Sequence, residues 1–360
     1  MTGKAAVLVK PKDIQIWDVP IVSPEPGGIL VQMLVGGVCG SDLHVVSGET
    51  GVIPFPIILG HEGIGRIKAL GAGVIKDYVG VEVKEGDLVY WCPIALCHAC
   101  YTCTVKEAVP CENSTFFEHA ERPNWGCYSE YAWLPRGMAF FRMPDEASLD
   151  AVAALGCALP SAIGGLERAG GVKIGDTVVI QGAGPVGLSL AVLASLAGAQ
   201  HIIVIDSNAR RLAIAANLGA TLTIAMDGTA EERRRQVFDL TGPAGPDLVI
   251  EAAGALPALH EGLELVGNHG RYLIMGVWGE VGVYPLPVGI FGWRNITLYG
   301  YTFSKPKHYY RALQLATRLQ DRLPLAELVT HRFSIGKAAE AIDVVKSGAA
   351  VKAVIDLSIS

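Results

Sequence analysis

The chain has 360 residues, of which 51% are hydrophobic and 18% charged, and its formal net charge is −6. This composition excludes disorder, and the length is sufficient for two domains. The sequence has no basic run, so it shows no charge pattern typical of proteins that bind nucleic acid or a membrane surface. The N-terminus becomes charged too early for a signal peptide, and the longest apolar run, Val186 to Gly198, is well short of the ~20 residues of a membrane span. Eight cysteines without an export signal favour a reducing compartment, so we expect a cytoplasmic protein.

Residues 1 to about 155 have the texture of a β-rich domain with long loops. This part is rich in Gly and Pro and contains short β-branched runs. The clearest of these predicted strands are Lys4–Val9, Leu30–Val35 and Leu88–Trp91.

Four cysteines near the middle of this region predict a metal site. Cys97, Cys100, Cys103 and Cys111 form the pattern C-x2-C-x2-C-x7-C within fifteen residues. Four thiolates at such spacing can enclose one tetrahedral zinc ion, and a closed four-thiolate site is structural because no position remains for a substrate. The alternatives are free or disulfide-bonded cysteines, but a chain of this length does not need a disulfide staple.

From about Gly171 the chain alternates between strands and helices, which predicts a parallel, doubly wound sheet. After about Leu298 we expect the chain to rejoin the first domain, with helices Lys307–Gln320 and Ile335–Ser347 and a final strand Ala353–Leu357. Within the alternating part the expected strands are Thr177–Gln181, His201–Asp206, Asp247–Glu251 and Arg271–Met275, and the expected helices are Pro185–Ala197, Ala209–Leu218 and Leu256–Leu265.

A G-x-G-x-x-G motif joins the first of these strands to its helix and predicts a dinucleotide site. Gly182 would make the tight turn, Gly184 would let the backbone approach the pyrophosphate, and Gly187 would let the helix pack closely on the strand. The unpaired N–H groups of the helix N-terminus would face the phosphates. The predicted cofactor-binding segment is Gly182, Ala183, Gly184, Pro185, Val186 and Gly187.

Asp206 ends the next strand, 19 residues after Gly187, and is the expected acceptor for the adenosine ribose hydroxyls. A carboxylate there would repel a 2′-phosphate, which favours NAD over NADP. Arg210 and Arg211 follow closely and weaken this preference, because Arg211 could bond the ribose or tolerate a phosphate.

Together these motifs resemble the medium-chain zinc-dependent alcohol dehydrogenase family. The resemblance rests on GVCGSDLH around Cys39, GHE around His61, the four-cysteine segment and GAGPVG, in this order. It implies an α/β fold: a Rossmann coenzyme domain, residues 159–298, and a β-rich GroES-like catalytic domain, residues 1–158 and 299–360, which includes the structural zinc lobe at about 92–112.

The resemblance also implies a second, catalytic zinc, bound by Cys39, His61 and Cys157. The family uses a cysteine or a glutamate as the third ligand, and this chain offers Cys157 without a glutamate between Gly156 and Leu166. Glu62 would approach the metal from behind and exchange as a ligand, and Asp42 would orient the His61 imidazole. The expected cofactors are therefore two zinc ions per subunit and NAD.

In this family the metal lowers the pKa of an alcohol hydroxyl and hydride passes to the nicotinamide. The resemblance implies that Ser41 accepts the alcohol proton and that His44, whose type of side chain titrates near neutrality, delivers it to solvent. It further places Ser161, Val277 and Lys352 at the cofactor, with Lys352 as a phosphate contact.

Family positions near the substrate supply mostly aromatic residues, which favour a bulky secondary, cyclic or terpenoid alcohol. The alternatives are a polyol or threonine dehydrogenase, a zinc-free quinone reductase, and a redox-inactive zinc and dinucleotide binder. The segment GWRNITLYG, residues 292–300, predicts an edge strand through which subunits form a homodimer or a tetramer. The predicted pocket residues are Trp91, Pro93, Phe117, Trp125 and Trp278.

Overall fold

The computed structural model describes residues 2–50, 53–276 and 284–359. They divide into two compact units: Met1–Cys157 with Phe303–Ser360, and Ala158–Thr302. The second unit contains the predicted coenzyme domain, residues 159–298, and in addition residue 158 and residues 299–302. Residues 299 and 300 end a strand that pairs within the sheet of this unit.

The strands, in chain order, are β1 Thr2–Lys10, β2 Asp13–Pro20, β3 Ile29–Val38, β4 Ile57–Ile58, β5 Glu62–Leu70, β6 Leu88–Trp91, β7 Tyr131–Leu134, β8 Phe140–Arg142, β9 Thr177–Gln181, β10 His201–Asp206, β11 Leu222–Ala225, β12 Leu248–Glu251, β13 Arg271–Ile274, β14 Thr297–Gly300, β15 Val329–Phe333 and β16 Lys352–Asp356.

The helices are α1 Gly40–Ser47, α2 Tyr101–Thr104, α3 Leu149–Leu155, α4 Ala158–Arg168, α5 Pro185–Ala197, α6 Ala209–Asn217, α7 Ala230–Thr241, α8 Leu256–Leu265, α9 Gly289–Arg294, α10 Pro306–Leu319 and α11 Ala338–Lys346. Short 3-10 turns cover Gly242–Ala244, Leu325–Leu328 and Ile335–Lys337. The predicted helix Ile335–Ser347 is thus a 3-10 turn followed by α11.

The first unit is built on a mixed sheet in the order β15-β16-β3-β5-β6-β8, with β7 also paired to β3, and on a smaller sheet β2-β1-β4. Antiparallel pairing aligns Gly37 with Glu62 between β3 and β5, and Val38 with Ala353 between β3 and β16. This register brings the end of β3, the start of β5 and the start of β16 together. The predicted zinc ligands Cys39 and His61 adjoin two of these strand ends.

The second unit is the predicted parallel sheet, in the order β11-β10-β9-β12-β13-β14. All five residues of β9, TVVIQ, are buried, as expected for a central parallel strand covered on both faces. The sequence analysis predicts neither β11 nor α7. Helix α7 is strongly charged and buries only Arg233 and Val237, so it has a weak apolar periodicity.

Within the described ranges no single helix is long and apolar enough to cross a membrane, and only α3 and α4 counted together, as a bent pair, meet the length and composition required.

Candidate active site and structural metal centre

Four potential ligands from three distant segments meet in the first unit. One ligand atom each from Cys39, His61, Glu62 and Cys157 lies within 4.8 Å of the other three. Cys39 precedes α1, His61 and Glu62 stand at the start of β5, and Cys157 follows α3. The two cysteine sulfurs are 3.4 Å apart, close to the ~3.8 Å edge of a tetrahedron with Zn–S bonds of about 2.3 Å.

Asp42 fixes the orientation of the His61 ring. His61 Nδ1 lies 3.1 Å from Asp42 Oδ1, and because a carboxylate can only accept, Nδ1 carries the proton and Nε2 is left for a metal. Ser41 Oγ lies 3.2 Å from that Nε2 and 3.4 Å from Cys39 Sγ. Burial lowers the pKa of His61, but the charge of Asp42 and its hydrogen bond outweigh this and raise the pKa well above its usual value.

The two thiols have opposed acidities. Cys157 hydrogen-bonds to the Cys39 sulfur and holds the pKa of Cys39 well below its usual range against the opposing effect of burial. The same contact, together with burial, raises the pKa of Cys157. A divalent cation favours the thiolate at both positions. Two sulfurs, one oriented imidazole nitrogen and a neighbouring carboxylate therefore fit a zinc ion.

Glu62 is buried behind the thiols and paired with a lysine. Its Oε1 accepts the Cys157 backbone N–H at 2.7 Å, and its Oε2 accepts from Lys352 Nζ. Burial, the largest single cause, raises the pKa of Glu62, but the charges of Lys352 and His61 and the hydrogen bonds to the carboxylate together outweigh it and lower the pKa to about 2. A Cβ on Gly37 or Gly156 would collide with this carboxylate, so glycine is required at both positions.

This pairing corrects the prediction that Lys352 contacts a cofactor phosphate. The side chain of Lys352 is only 2% exposed, and its ammonium group is directed at Glu62. An ammonium group buried at this depth is stable only with such a partner.

The second cluster is the predicted cysteine lobe. The sulfurs of Cys97, Cys100, Cys103 and Cys111 lie within 4.8 Å of one another, with Cys97 Sγ 4.0 Å from Cys103 Sγ and 3.7 Å from Cys111 Sγ. These separations fit a tetrahedron of sulfurs around zinc. The Ala99 backbone N–H is the main cause that lowers the pKa of Cys97 to about 6, and the Asn113 side-chain amide adds to it.

Backbone pairing joins the two ends of this lobe. The Ala95 N–H donates to Thr115 O at 3.1 Å and the Thr115 N–H donates to Ala95 O at 3.0 Å. The two chain segments that connect the lobe to the rest of the first unit are therefore adjacent to each other. His98 Nε2, 2.8 Å from Gly137 O, adds a second attachment.

The predicted dinucleotide loop has the expected geometry. Gly182 has φ +101° and a Cβ there would meet Ala252, while a Cβ on Gly187 would collide with Gly182 O. Among the described residues, a Cβ on Gly184 would meet no atom within 4 Å, so packing within this part of the chain does not require glycine there. The predicted reason for glycine is the close approach of a pyrophosphate to the backbone. Asp206 Oδ2 accepts the Ala183 N–H at 2.6 Å and its Oδ1 accepts the Asn208 N–H at 2.7 Å, which fixes the carboxylate beside the loop.

Comparison with known proteins identifies the family of the chain. Residues 25–145 match the alcohol dehydrogenase GroES-like domain and residues 185–318 match the zinc-binding dehydrogenase domain. Over 355 residues the chain is 58% identical to 5-exo-hydroxycamphor dehydrogenase of Pseudomonas putida, covering 98% of each chain. The chain belongs to the medium-chain zinc-dependent alcohol dehydrogenase family.

Two solved structures of this family are similar along the whole chain. An alcohol dehydrogenase from Thermotoga maritima is 34% identical with a TM-score of 0.91, covering 99% of each chain. A zinc-binding dehydrogenase from Sinorhizobium meliloti, bound to NADP, is 26% identical with a TM-score of 0.85, also covering 99% of each chain. The predicted fold class and family are therefore confirmed, and the protein is an oxidoreductase that acts on CH–OH groups of small alcohols.

In this alcohol dehydrogenase, α1 holds both residues of the predicted proton relay. Ser41 contacts the ligand cluster as described above. His44 is partly exposed, and its Nδ1 lies 2.8 Å from Glu49 Oε2, so the carboxylate fixes the proton on Nδ1. The hydrogen bond from His44 is the main cause that lowers the pKa of Glu49. No sequence motif pointed to Glu49.

The aromatic residues predicted for the alcohol dehydrogenase pocket are largely core residues. Trp91 is 0% and Trp125 is 5% exposed, and both belong to the hydrophobic core of the first unit. Trp125 Nε1 donates to Pro93 O at 3.2 Å, and Phe117 packs against the same core. Packing alone accounts for these positions, so contact with a substrate stays a prediction.

The remaining predicted cofactor contacts lie on the second unit of the dehydrogenase. Ser161 is on α4, and Arg211 is in the first turn of α6, where its backbone N–H donates to Asn208 Oδ1 at 3.2 Å. Val277 and Trp278 lie outside the described residues.

Proposed function

We propose that this protein oxidises a bulky cyclic, secondary alcohol of the hydroxycamphor type to the ketone, with NAD as hydride acceptor. The observation that carries the proposal is the 58% identity, over 98% of the chain, to an enzyme named 5-exo-hydroxycamphor dehydrogenase. The ligand set Cys39, His61 and Cys157 supports it, because two sulfurs and one imidazole leave a zinc ion a position for substrate.

A zinc ion at this cluster would supply Lewis acidity that lowers the pKa of an alcohol hydroxyl. The residues around the cluster would orient the substrate and accept the proton of its hydroxyl group. Ser41, in contact with Cys39 and His61, is placed to accept a hydrogen bond from the substrate hydroxyl. His44, held in one tautomer by Glu49, is placed to pass the proton to solvent.

NAD is the proposed cofactor because the Asp206 carboxylate stands beside the glycine loop, where it would accept ribose hydroxyls and repel a 2′-phosphate. The relative bound to NADP and the neighbouring Arg210 and Arg211 favour the alternative. The ratio of kcat/KM for NAD to that for NADP decides between them. A ratio below one would overturn the assignment of NAD.

The substrate class is tested by initial rates of NAD reduction over a panel of alcohols: ethanol, cyclohexanol, bicyclic terpenols including 5-exo-hydroxycamphor, sorbitol and threonine. We expect the highest kcat/KM for the bicyclic alcohols. A higher value for sorbitol or threonine would place the protein with the polyol or threonine dehydrogenases instead. The Cys157→Ser variant is the negative control. It lacks a proposed zinc ligand, so the rate that it retains measures background NAD reduction that does not depend on the catalytic zinc.

A cytoplasmic homodimer or homotetramer is also proposed. β14 is the last strand of its sheet, and on the preceding helix and loop Val288 is 74% and Trp293 is 89% exposed. An unpaired edge beside large exposed apolar side chains is typical of a subunit interface. Sedimentation equilibrium tests this, and a single-chain mass of 38.0 kDa at micromolar concentration would contradict it.

A further inference from the structure

Tyr128 is the buried residue that joins the segment before β7 to the ligand cluster. Its side chain is 0% exposed. The ring lies against Gly60, where a Cβ would overlap the ring carbons, and near Gly36. The Tyr128 backbone N–H donates to Leu59 O at 2.9 Å, and the Ala6 N–H donates to Tyr128 O at 2.7 Å. The ring is thus held beside the residue that precedes His61.

The hydroxyl of Tyr128 reaches the carboxylate that orients His61. Tyr128 Oη donates to Asp42 Oδ2 at 3.0 Å and is 3.4 Å from Gly37 O. Burial, with the Asp42 charge as the next cause, raises the pKa of Tyr128 well above its usual value, so the hydroxyl keeps its proton and stays a donor.

The bonds to the Asp42 carboxylate divide between its two oxygens. Oδ2 accepts from Tyr128 Oη and from the Cys39 backbone N–H at 2.9 Å, while Oδ1 accepts from His61 Nδ1. With two donors fixed on Oδ2, the carboxylate cannot rotate away from the imidazole. Asp42 is 2% exposed, so water cannot easily replace a donor that is removed.

We propose that Tyr128 is a positioning residue for the catalytic metal: its hydroxyl fixes Asp42, which fixes the His61 ring that binds the ion. The inference rests on the proposed zinc site. Partners of this kind, one layer behind a metal ligand, keep its ring orientation and basicity. A phenylalanine would keep the ring packing against Gly60 and remove only the hydrogen bond.

The test measures zinc release from the holoenzyme into a chromogenic chelator for wild type, Y128F, D42N and the double variant. We expect Y128F to speed release of one of the two zinc ions by about three- to tenfold, less than the 10–100-fold typical of a group bonded directly to the ligand. Release of the second ion stays unchanged. In the D42N background, Y128F changes the rate by less than about twofold, because the route through Asp42 is already broken.

The matched control is Y272F. Tyr272 is 1% exposed and its hydroxyl bonds Ala258 O at 3.2 Å in the second unit, without contact to Asp42. We expect Y272F to release zinc like wild type. Release from Y128F within about twofold of wild type, or an equal acceleration in the wild-type and D42N backgrounds, would overturn the inference.

A second measurement does not depend on the folding of D42N. With cobalt(II) in place of zinc, the ligand-field bands of the catalytic site should shift in Y128F and not in Y272F. Identical spectra would count against the role of Tyr128. Failure of the proposed function looks different: the wild-type protein itself would then lack zinc-dependent alcohol oxidation.

Discussion

In the lobe of residues 97–111, all four cysteine sulfurs come from fifteen consecutive residues. In the candidate active site, the ligands Cys39, His61 and Cys157 come from three segments that are far apart in the sequence. Three of the four cysteines of the lobe are only partly buried, and the main group that lowers the pKa of Cys97 is the nearby Ala99 backbone N–H. The active site is supported by buried charges from other elements, chiefly Asp42 and the pair Glu62–Lys352.

The difference shows how each cluster obtains its function. Four short-range thiolates close around a metal and leave no position for substrate. A cluster assembled by the fold can hold three ligands, keep a fourth position for an alcohol and place proton-handling groups beside it. The experiments below separate the clusters, since one should control chemistry and the other stability.

The largest effect is expected at a ligand of the active site. Cys157→Ser should reduce kcat by at least about a thousandfold and lower the zinc content from two ions to one per chain, because the metal loses a sulfur ligand. Steady-state kinetics and metal analysis measure both. Cys92→Ser is the control, because Cys92 is a buried thiol outside both clusters. Retention of full turnover by Cys157→Ser would show that Cys157 is not a ligand.

Cys103→Ser should have the opposite pattern. One zinc ion is again lost, but the effect falls on stability: we expect Tm to fall by at least about 5 °C, since loss of a structural metal is among the largest destabilising changes. The kcat of the protein that remains folded should change by less than about twofold. Differential scanning calorimetry and active-site titration measure the two quantities. A loss of kcat without a loss of Tm would reverse the assignment of the two clusters.

Lys352→Met tests the buried charge pair. Removing the ammonium leaves the Glu62 carboxylate unpaired, which typically costs about 3–5 kcal/mol of the free energy of unfolding. In the wild type the pKa of Glu62 is lowered from 4.5 to about 2, so the pair stabilises the fold above pH 4.5, and this contribution is lost as the pH falls towards 2.

Burial is already the largest single effect on Glu62, and Lys352 is the main charge that opposes it, so we expect the pKa of Glu62 to rise in Lys352→Met. The destabilisation should then grow as the pH rises, so Lys352→Met should lose more stability at about pH 8 than at about pH 5. Urea unfolding at the two values measures this, with Lys352→Arg as the variant that keeps the charge. An equal loss at both pH values would mean that Glu62 is not left as a buried anion.

The smallest effect is expected at the exit of the proton relay. His44→Ala should slow turnover about tenfold below neutral pH, with partial rescue by buffer bases, a smaller loss than for a general base in direct contact with substrate. Glu49→Gln should have a weaker effect in the same direction. The control is His260→Ala, which removes another exposed histidine–glutamate pair, with Glu264 at 3.4 Å, in the second unit. An unchanged pH profile for His44→Ala would remove it from the relay.

The parts of this protein that the sequence predicted are those whose partners are close in the chain. The four-cysteine lobe and the glycine loop depend on spacings of a few residues, and strands such as Thr177–Gln181 are continuous apolar runs. The partners of the active site are far apart: Tyr128 is 86 residues from Asp42, and Lys352 is 290 residues from Glu62. The tertiary fold brings them together, partly through strand register and partly through helix α1 and the segment before β7, and one sequence alone does not encode register in a readable pattern.

The same limit explains the aromatic residues. Trp91 and Trp125 occupy positions that the family places near substrate, yet both are core residues whose neighbours come from several strands. Composition indicates that aromatics are present, but burial depends on tertiary packing. Tyr128 is a further buried aromatic residue of this core, and its hydroxyl donates to Asp42.

The pairing of Ala95 with Thr115 has an evolutionary consequence. Because the lobe leaves and re-enters the first unit at one point, its nineteen intervening residues form an insertion whose removal would leave chain ends already adjacent. A descendant could lose or replace this segment in one genetic event while the ligands at Cys39, His61 and Cys157 stayed in place. The active site has no such freedom, since no single segment of the gene contains it.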